Sequence, residues 1–194
     1  MSSKLYIETL QNNSGGSPTF PNKINYVDFP PGSIIQVAYA ESNVSGTGTT
    51  PIPADDTIPQ ITEGNLILTC NITPRFANSK LLVMARLNAM ENSNLSSTNT
   101  TCALFLNNIS DSFVAEIQSN EMQSPPMGDT NIQGGIFTLV RQIDAVGTNT
   151  HTITMRAGLG GAGSGTTFRW NGGQGNRYLG GSQYTSILIQ EIRQ

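Results

Sequence analysis

The sequence is poor in the side chains on which most enzymes rely. Its 194 residues include one histidine, two cysteines and one tryptophan, and only 12% of the residues are charged. A charged fraction of about a quarter is usual for globular proteins, so Lys, Glu and Arg, which favour helices, are scarce here. Gly, Ser, Asn and Thr, which favour turns or strands, are abundant instead. The composition therefore predicts an all-β protein.

The same scarcity argues against several classes of partner. The net charge is −3 and the ten basic residues are scattered, whereas a nucleic-acid interface needs clustered basic side chains to neutralise phosphates. No stretch approaches the roughly 20 apolar residues of a membrane-spanning helix. Residues 1–6 lack the apolar core of a secretion signal. We therefore expect no nucleic-acid partner, no membrane insertion and synthesis in a cytoplasm.

The cysteines and the histidine are expected to have structural roles. Cys70 and Cys102 lie within apolar runs, where a free cysteine behaves as a small buried hydrophobe. His151 has the same parity as Ile153 and Met155, which predicts an inward or interface position with hydrogen bonds. No nucleophile motif, zinc-ligand spacing or phosphate-binding loop is present. The sequence predicts no catalytic residue and no cofactor.

Apolar and polar residues alternate in short runs after residue 32. Leu66, Leu68, Cys70 and Ile72 share one parity, which is typical of a strand with one buried face. Nine runs predict strands, at residues 33–39, 65–72, 81–89, 101–106, 113–117, 136–143, 151–157, 167–170 and 184–192. Short strands separated by turn residues favour an antiparallel β-sandwich, of which the jelly roll is the eight-stranded version.

Residues 1–31 differ from the rest of the chain in composition, because they are mostly polar and contain only two short apolar stretches. Two short strands are predicted there, at residues 4–10 and 24–29, and each is followed by turn residues. The apolar residues of the first strand are Leu5, Tyr6, Ile7 and Leu10. This segment is too small to bury itself, so we interpret residues 1–31 as an arm that attaches to another chain, and residues 32–194 as the sandwich.

One loop contains acidic residues that are candidates for a calcium site. Asp55 and Asp56 are adjacent and Glu63 follows nearby, and calcium prefers oxygen ligands from loops. Neighbouring acidic residues more commonly close turns by accepting backbone N–H bonds. We therefore expect no metal site.

The glycine-rich stretch near the end of the chain contains candidates for ligand binding. They are Trp170, Arg177 and Tyr178, with Tyr184 as a further aromatic residue. Aromatic side chains could form a platform for a sugar ring, although in a sandwich they more commonly fill the core.

Several stretches resemble a family of structural proteins of tailed bacteriophages that infect aquatic bacteria. They are GSIIQV at residues 32–37, IPADDTIPQITEG at 52–64, FRWNGG at 168–173 and RYLGG at 177–181. Residues 5–16 are similar to the opening of many phage fibre-like proteins. Residues 90–135 match no family in this way.

The resemblance implies a virion component with an attaching arm and a trimeric jelly-roll head. The resemblance does not distinguish a tail position from a capsid position. Between the two we favour a tail-fibre or host-facing, adhesin-like protein that acts as a homotrimer, contacts other virion proteins through the arm and has a host surface glycan as a candidate partner. The alternatives are a capsid decoration protein of the same virion and a carbohydrate-binding module.

Overall fold

The computed structural model describes residues 29–92, 97–121, 132–160, 167–173 and 176–194. Residues 31–194 form one compact unit. The described residues form twelve strands and one 3-10 turn at Leu179–Gly181. None of them belongs to a helix long and apolar enough to cross a membrane. The four apolar residues predicted for the arm, Leu5, Tyr6, Ile7 and Leu10, lie outside the described residues.

All nine predicted strands after residue 32 are present, and three short strands accompany them. In chain order the strands are β1 (Ile34–Ser42), β2 (Gly46–Gly48), β3 (Asn65–Ile72), β4 (Lys80–Asn92), β5 (Ser97–Leu106), β6 (Val114–Glu121), β7 (Ile132–Asp144), β8 (His151–Leu159), β9 (Thr167–Trp170), β10 (Gly172–Gly173), β11 (Asn176–Arg177) and β12 (Thr185–Ile192).

The long strands form two antiparallel sheets. Sheet 1 has β4 at its centre: β7 pairs with one edge of β4, β12 and β9 share the other edge, β1 flanks β12 and β2 flanks β9. Sheet 2 has the order β3-β8-β5-β6. Among the eight longest strands, every connection except β5–β6 crosses between the sheets, as in a jelly roll. The predicted all-β antiparallel sandwich is confirmed.

The core lies between the sheets and follows the two-residue period of the strands. From sheet 1 its buried side chains include Leu81, Leu87, Phe137, Leu139, Phe168, Ile187 and Ile189. From sheet 2 they include Ile72, Leu104, Ile153 and Met155. Complete burial of one such side chain stabilises the fold by roughly 1.5–3 kcal/mol, so this cluster is the main source of stability.

A bulge in β3 corrects one detail of the predicted pattern. Leu66 was expected to share the inward face of Cys70 and Ile72, but it is 55% exposed. The register of β3 against β8 shifts between Leu66 and Leu68. Because a one-residue shift exchanges the two faces of a strand, the inward parity holds only after the bulge.

A buried carboxylate anchors the loop between β3 and β4. Glu191, on the inward face of β12, has no exposed surface. Its Oε1 accepts hydrogen bonds from the N–H groups of Arg75 (2.8 Å) and Phe76 (3.1 Å) and from the hydroxyl of Ser79 (2.7 Å), and its Oε2 lies 3.0 Å from the N–H of Arg75. Buried charges are tolerated when donors surround them in this way.

The single histidine has the structural role that its parity predicted. His151 is buried, and its Nδ1 lies 2.8 Å from the carbonyl oxygen of Asn149. Since a carbonyl only accepts, Nδ1 carries the proton, and Nε2 accepts the N–H of Val146 at 3.0 Å. The neutral ring thus closes the turn between β7 and β8.

Replacement of Glu191 is expected to destabilise the fold. Glu191→Gln removes the negative charge and turns one acceptor into a donor that faces other donors. We expect a loss of about 3 kcal/mol in the free energy of unfolding, measured by urea denaturation. The exposed carboxylate of Asp56 provides a control, because Asp56→Asn should change stability by less than about 0.5 kcal/mol. Equal stability of Glu191→Gln and the wild type would contradict the anchoring role.

The two cysteines are expected to be unreactive in the folded protein. Cys70 and Cys102 are buried free thiols, and burial raises the pKa of both and so lowers their thiolate fraction. A thiol reagent such as 5,5′-dithiobis(2-nitrobenzoate) should label neither residue in buffer and both in denaturant. Rapid labelling of the native protein would show that the sandwich opens readily.

Candidate assembly surface

The outer face of sheet 2 is covered by the loop between β2 and β3. We call residues 49–64 of this loop the strap. Ala103 and Phe105 of β5 point away from the main core, yet both have no exposed surface, because Ile52 and the partly buried Ile61 of the strap pack on them. This side of the sandwich therefore carries a second, smaller apolar cluster that the chain itself completes.

Hydrogen bonds hold the strap at both ends. The N–H of Ile52 donates to the carbonyl of Leu159 at 3.0 Å, and the N–H of Ile61 donates to the carbonyl of Ser110 at 2.7 Å. The strap lies so close to β8 that a Cβ at Gly158 would be 2.4 Å from the carbonyl oxygen of Thr50. Only glycine allows this approach.

The acidic candidates of the strap stabilise its own turns. Asp55 Oδ1 accepts the N–H of Thr57 at 2.9 Å and also its hydroxyl, and these bonds lower the pKa of Asp55. Glu63 Oε2 accepts the N–H of Gln60 at 2.9 Å. Asp56 is exposed. The described part of the chain contains no group of three or more acidic, histidine or cysteine side chains placed to hold a metal ion.

The outer face of sheet 1 has no such cover among the described residues. We call the outward side of β1, β12, β4 and β7 the open face. The strand register places four apolar side chains in one row across its centre, namely Tyr39, Leu188, Met84 and Val140. The neighbouring row consists of Val37, Gln190, Leu82 and Gln142. This face therefore has an apolar centre.

The open face is large enough to matter energetically. Val37, Tyr39, Ile136 and Val140 are each between 53% and 55% exposed. Four strands about 4.8 Å apart and five rows about 7 Å apart give an area on the order of 600–700 Å². This area, polar rows included, approaches the about 800 Å² per partner that a standard protein interface covers.

The charged side chains of the open face balance one another. Glu41 and Arg86 lie in one polar row, and Lys80 forms an ion pair with Asp144 in another. The hydroxyl of Tyr39 donates to Glu41 Oε2 at 2.7 Å, and this bond is the main reason why the pKa of Tyr39 is raised. The four long strands thus present two positive and two negative charges around the apolar row.

A buried polar cluster fixes one end of sheet 1. Asn171 follows β9 with a positive φ of 54° and is 1% exposed. Its side chain donates to the carbonyl of Ser42 at 2.9 Å and accepts the hydroxyl of Thr185 at 3.0 Å. Asn88 donates to the carbonyl of Tyr184 at 2.5 Å. These bonds position the loop between β11 and β12 beside the open face.

The predicted ligand-binding residues do not form one platform. Trp170 is half-buried and stacks on Phe168, with ring centroids 5.8 Å apart, so it packs against the core. Arg177 is exposed and its guanidinium lies against Gly181. Tyr184 lies beneath the guanidinium of Arg86, 5.8 Å from the ring centroid. Tyr178 and Tyr184 line two different hollows.

Two hollows flank the loop between β11 and β12. The first, of about 730 Å³, is lined by Asn88, Ala89, Gly135, Ile136, Tyr178, Leu179 and Gln183, and we call it the Tyr178 groove. The second, of about 530 Å³, is lined by Glu41, Ser42, Asn43, Val44, Gly181, Ser182 and Tyr184. Glu41 and Ile136 also belong to the open face, so both hollows lie at its end.

Sequence reasoning did not identify the residues of the open face. Their parity was visible in each run, but strand alternation does not say which of two outward faces the chain covers with its own loop. Asn88 and Gln183 were also missed, since a single amide in a chain rich in Asn, Ser and Thr gives no signal.

The comparisons with known proteins bear on the fold alone. No family model and no curated protein matches the sequence. A solved structure of Eiger TNF from S. frugiperda is similar at a TM-score of 0.43 and 8% identity, over 84% of this chain and 96% of that chain. The dimeric latent PorU from Porphyromonas gingivalis is similar at a TM-score of 0.38 and 10% identity, over 84% of this chain and 14% of that chain. Both TM-scores are low, so the assignment as a jelly roll depends on the strand order of the chain itself.

Proposed function

We propose that this chain is a non-enzymatic structural protein of a tailed-bacteriophage particle that assembles as a homotrimer through its open face. The observation that carries the self-association is the contrast between the two outer faces. The strap buries Ala103 and Phe105 at the centre of sheet 2, whereas Tyr39, Met84, Leu188 and Val140 at the centre of sheet 1 have no cover among the described residues.

A second copy of the same chain is the occupant that best fits the open face. The chain has a net charge of −3, yet Glu41, Asp144, Arg86 and Lys80 leave the four long strands of this face without net charge. The face itself therefore does not repel a neighbouring copy, and an apolar centre inside a polar rim is the usual anatomy of a protein interface. Closed symmetric assemblies of one chain are the commonest way to bury such a surface.

The trimeric state and the virion location are supported by the resemblance at residues 32–37, 52–64, 168–173 and 177–181. In that reading residues 1–31 attach the trimer to other virion proteins, through Leu5, Tyr6, Ile7 and Leu10. We favour a tail-fibre or host-facing, adhesin-like position over capsid decoration because the hollows beside Tyr178 and Tyr184 open at one end of the head.

The mass of the protein in solution tests the assembly. Full-length protein and a variant that lacks residues 1–31 should both have three times the chain mass of 20.7 kDa, less the arm where deleted, by light scattering after size exclusion. Met84→Glu combined with Val140→Glu should yield monomers, because each buried unpaired carboxylate costs several kcal/mol, about a thousand-fold in association for 4 kcal/mol.

Ile117→Glu is the matched control for these substitutions. Ile117 is 51% exposed on β6, at the outer side of sheet 2, so the same charge there should leave the mass unchanged. Monomers of the wild type at all concentrations, with and without the arm, would contradict the homotrimer. A mass that Ile117→Glu reduces as much as the paired substitutions would place the contact elsewhere.

The proposed location requires the chain to be part of the particle. Mass spectrometry of phage particles purified from a lysate that expresses the gene should find its peptides, in a copy number divisible by three. Recovery of the peptides only in the soluble fraction, from a lysate that yields intact particles, would exclude a structural role in the virion.

A further inference from the structure

The Tyr178 groove has the chemistry of a sugar-binding site. We propose that it binds a neutral oligosaccharide. This inference deepens the host-facing role proposed above and depends on that role only for its biological purpose, because the groove is formed within one chain. Its volume of about 730 Å³ is within the range of about 300–1,000 Å³ found for small-ligand sites.

The lining of the groove selects for an uncharged ligand with both apolar and hydroxyl groups. None of its described lining residues is charged. Tyr178 supplies an aromatic ring, and Ile136 and Leu179 add apolar surface against which the C–H face of a sugar ring packs. Gln183 supplies a side-chain amide, a group that donates to and accepts from hydroxyl groups. A charged ligand would lose its hydration without a partner in this groove.

One acceptor beside the groove has no donor. The Oε1 atom of Gln183 is buried and has no hydrogen-bond partner among the described residues. An amide oxygen held in this way is costly, because its desolvation is not compensated. A small rotation of the Gln183 side chain into the groove would let Oε1 accept a ligand hydroxyl.

The loop that bears Tyr178 is held in shape before any ligand arrives. The N–H of Gly181 donates to the carbonyl of Tyr178 at 2.9 Å, and the N–H of Ser182 donates to that of Leu179 at 3.1 Å. Asn43 donates to the carbonyl of Gly181 at 3.1 Å and ties the loop to the end of β1. Leu179 has a φ of 52°, a conformation that is costly for leucine, and its side chain is 80% exposed. A fixed loop reduces the entropy lost on binding.

The position of the groove adds a consequence for assembly. It lies at the end of the open face, since Ile136 belongs to both. A homotrimer built on that face would therefore present three grooves at the same end, and several weak sites on one particle bind a repetitive surface far more tightly than one site does.

A printed array of neutral and charged microbial glycans, followed by titration of the best neutral ligand, tests the proposal. Wild-type protein should bind to neutral glycans on the array and not to charged ones. Tyr178→Ala should weaken binding at least about ten-fold, which corresponds to one average contact of 1.4 kcal/mol, while Tyr178→Phe should retain it. Asn71→Ala, on the exposed outer side of β3, is the control and should bind as the wild type does.

Gln183→Leu separates recognition from folding. Because it replaces an unpartnered acceptor with an apolar group of similar size, the variant should be at least as stable as the wild type in thermal unfolding and yet bind about ten-fold more weakly. No retention of any neutral glycan, retention of charged glycans alone, or binding unchanged in both Tyr178→Ala and Gln183→Leu would overturn the proposal. The mass measurements above are independent of these outcomes, so a monomer that binds sugar would contradict only the homotrimer.

Discussion

The backbone pairing of β4 on both edges is the constraint on which the rest of sheet 1 depends. β7 pairs with β4 from Lys80 to Asn92, and the opposite edge is divided between β12 and β9. Once this register is set, Leu81 and Val83 face the core and Leu82 and Met84 face outward. A slip of one residue would exchange these faces. The same pairing therefore determines both the hydrophobic core and the composition of the open face.

The two outer faces of the sandwich both carry apolar side chains, but only one of them is covered by a loop of the chain itself. Sheet 2 has Phe105 and Ala103 on its outer side, and the strap buries them with Ile52. Sheet 1 has a comparable apolar row and no equivalent loop among the described residues. The connection that could have covered it, between β11 and β12, instead remains at its edge, where Asn43 and Asn88 donate hydrogen bonds to its carbonyl groups. The outer face of sheet 2 is thus covered by the strap of the same chain, whereas the open face of sheet 1 remains available to a second chain.

Period-two alternation was enough to predict the sandwich and nearly all strands, because alternation reports local geometry directly. Alternation predicted the wrong face for Leu66, because a bulge between Leu66 and Leu68 reverses the parity. It could not predict long-range partners: Glu191 meets the N–H groups of residues 75 and 76 across more than a hundred residues of sequence. In the candidate site, Tyr178 was nominated as an aromatic residue of a glycine-rich stretch, whereas Asn88 and Gln183 join it only through the crossing of strands.

The close approach of the strap to β8 has a consequence for how the sequence can vary. At Gly158 the contacting atoms belong to the backbone of residues 50–52, so no rearrangement of side chains would make room for a methyl group. Asp56 and Thr57, by contrast, face solvent. A systematic survey of substitutions should therefore find that the strap tolerates changes at Asp56 and Thr57. The same survey should find that β8 tolerates no change at Gly158, which has no side chain. At this position selection should therefore act against any side chain, because the backbone of the strap occupies the space that a side chain would need.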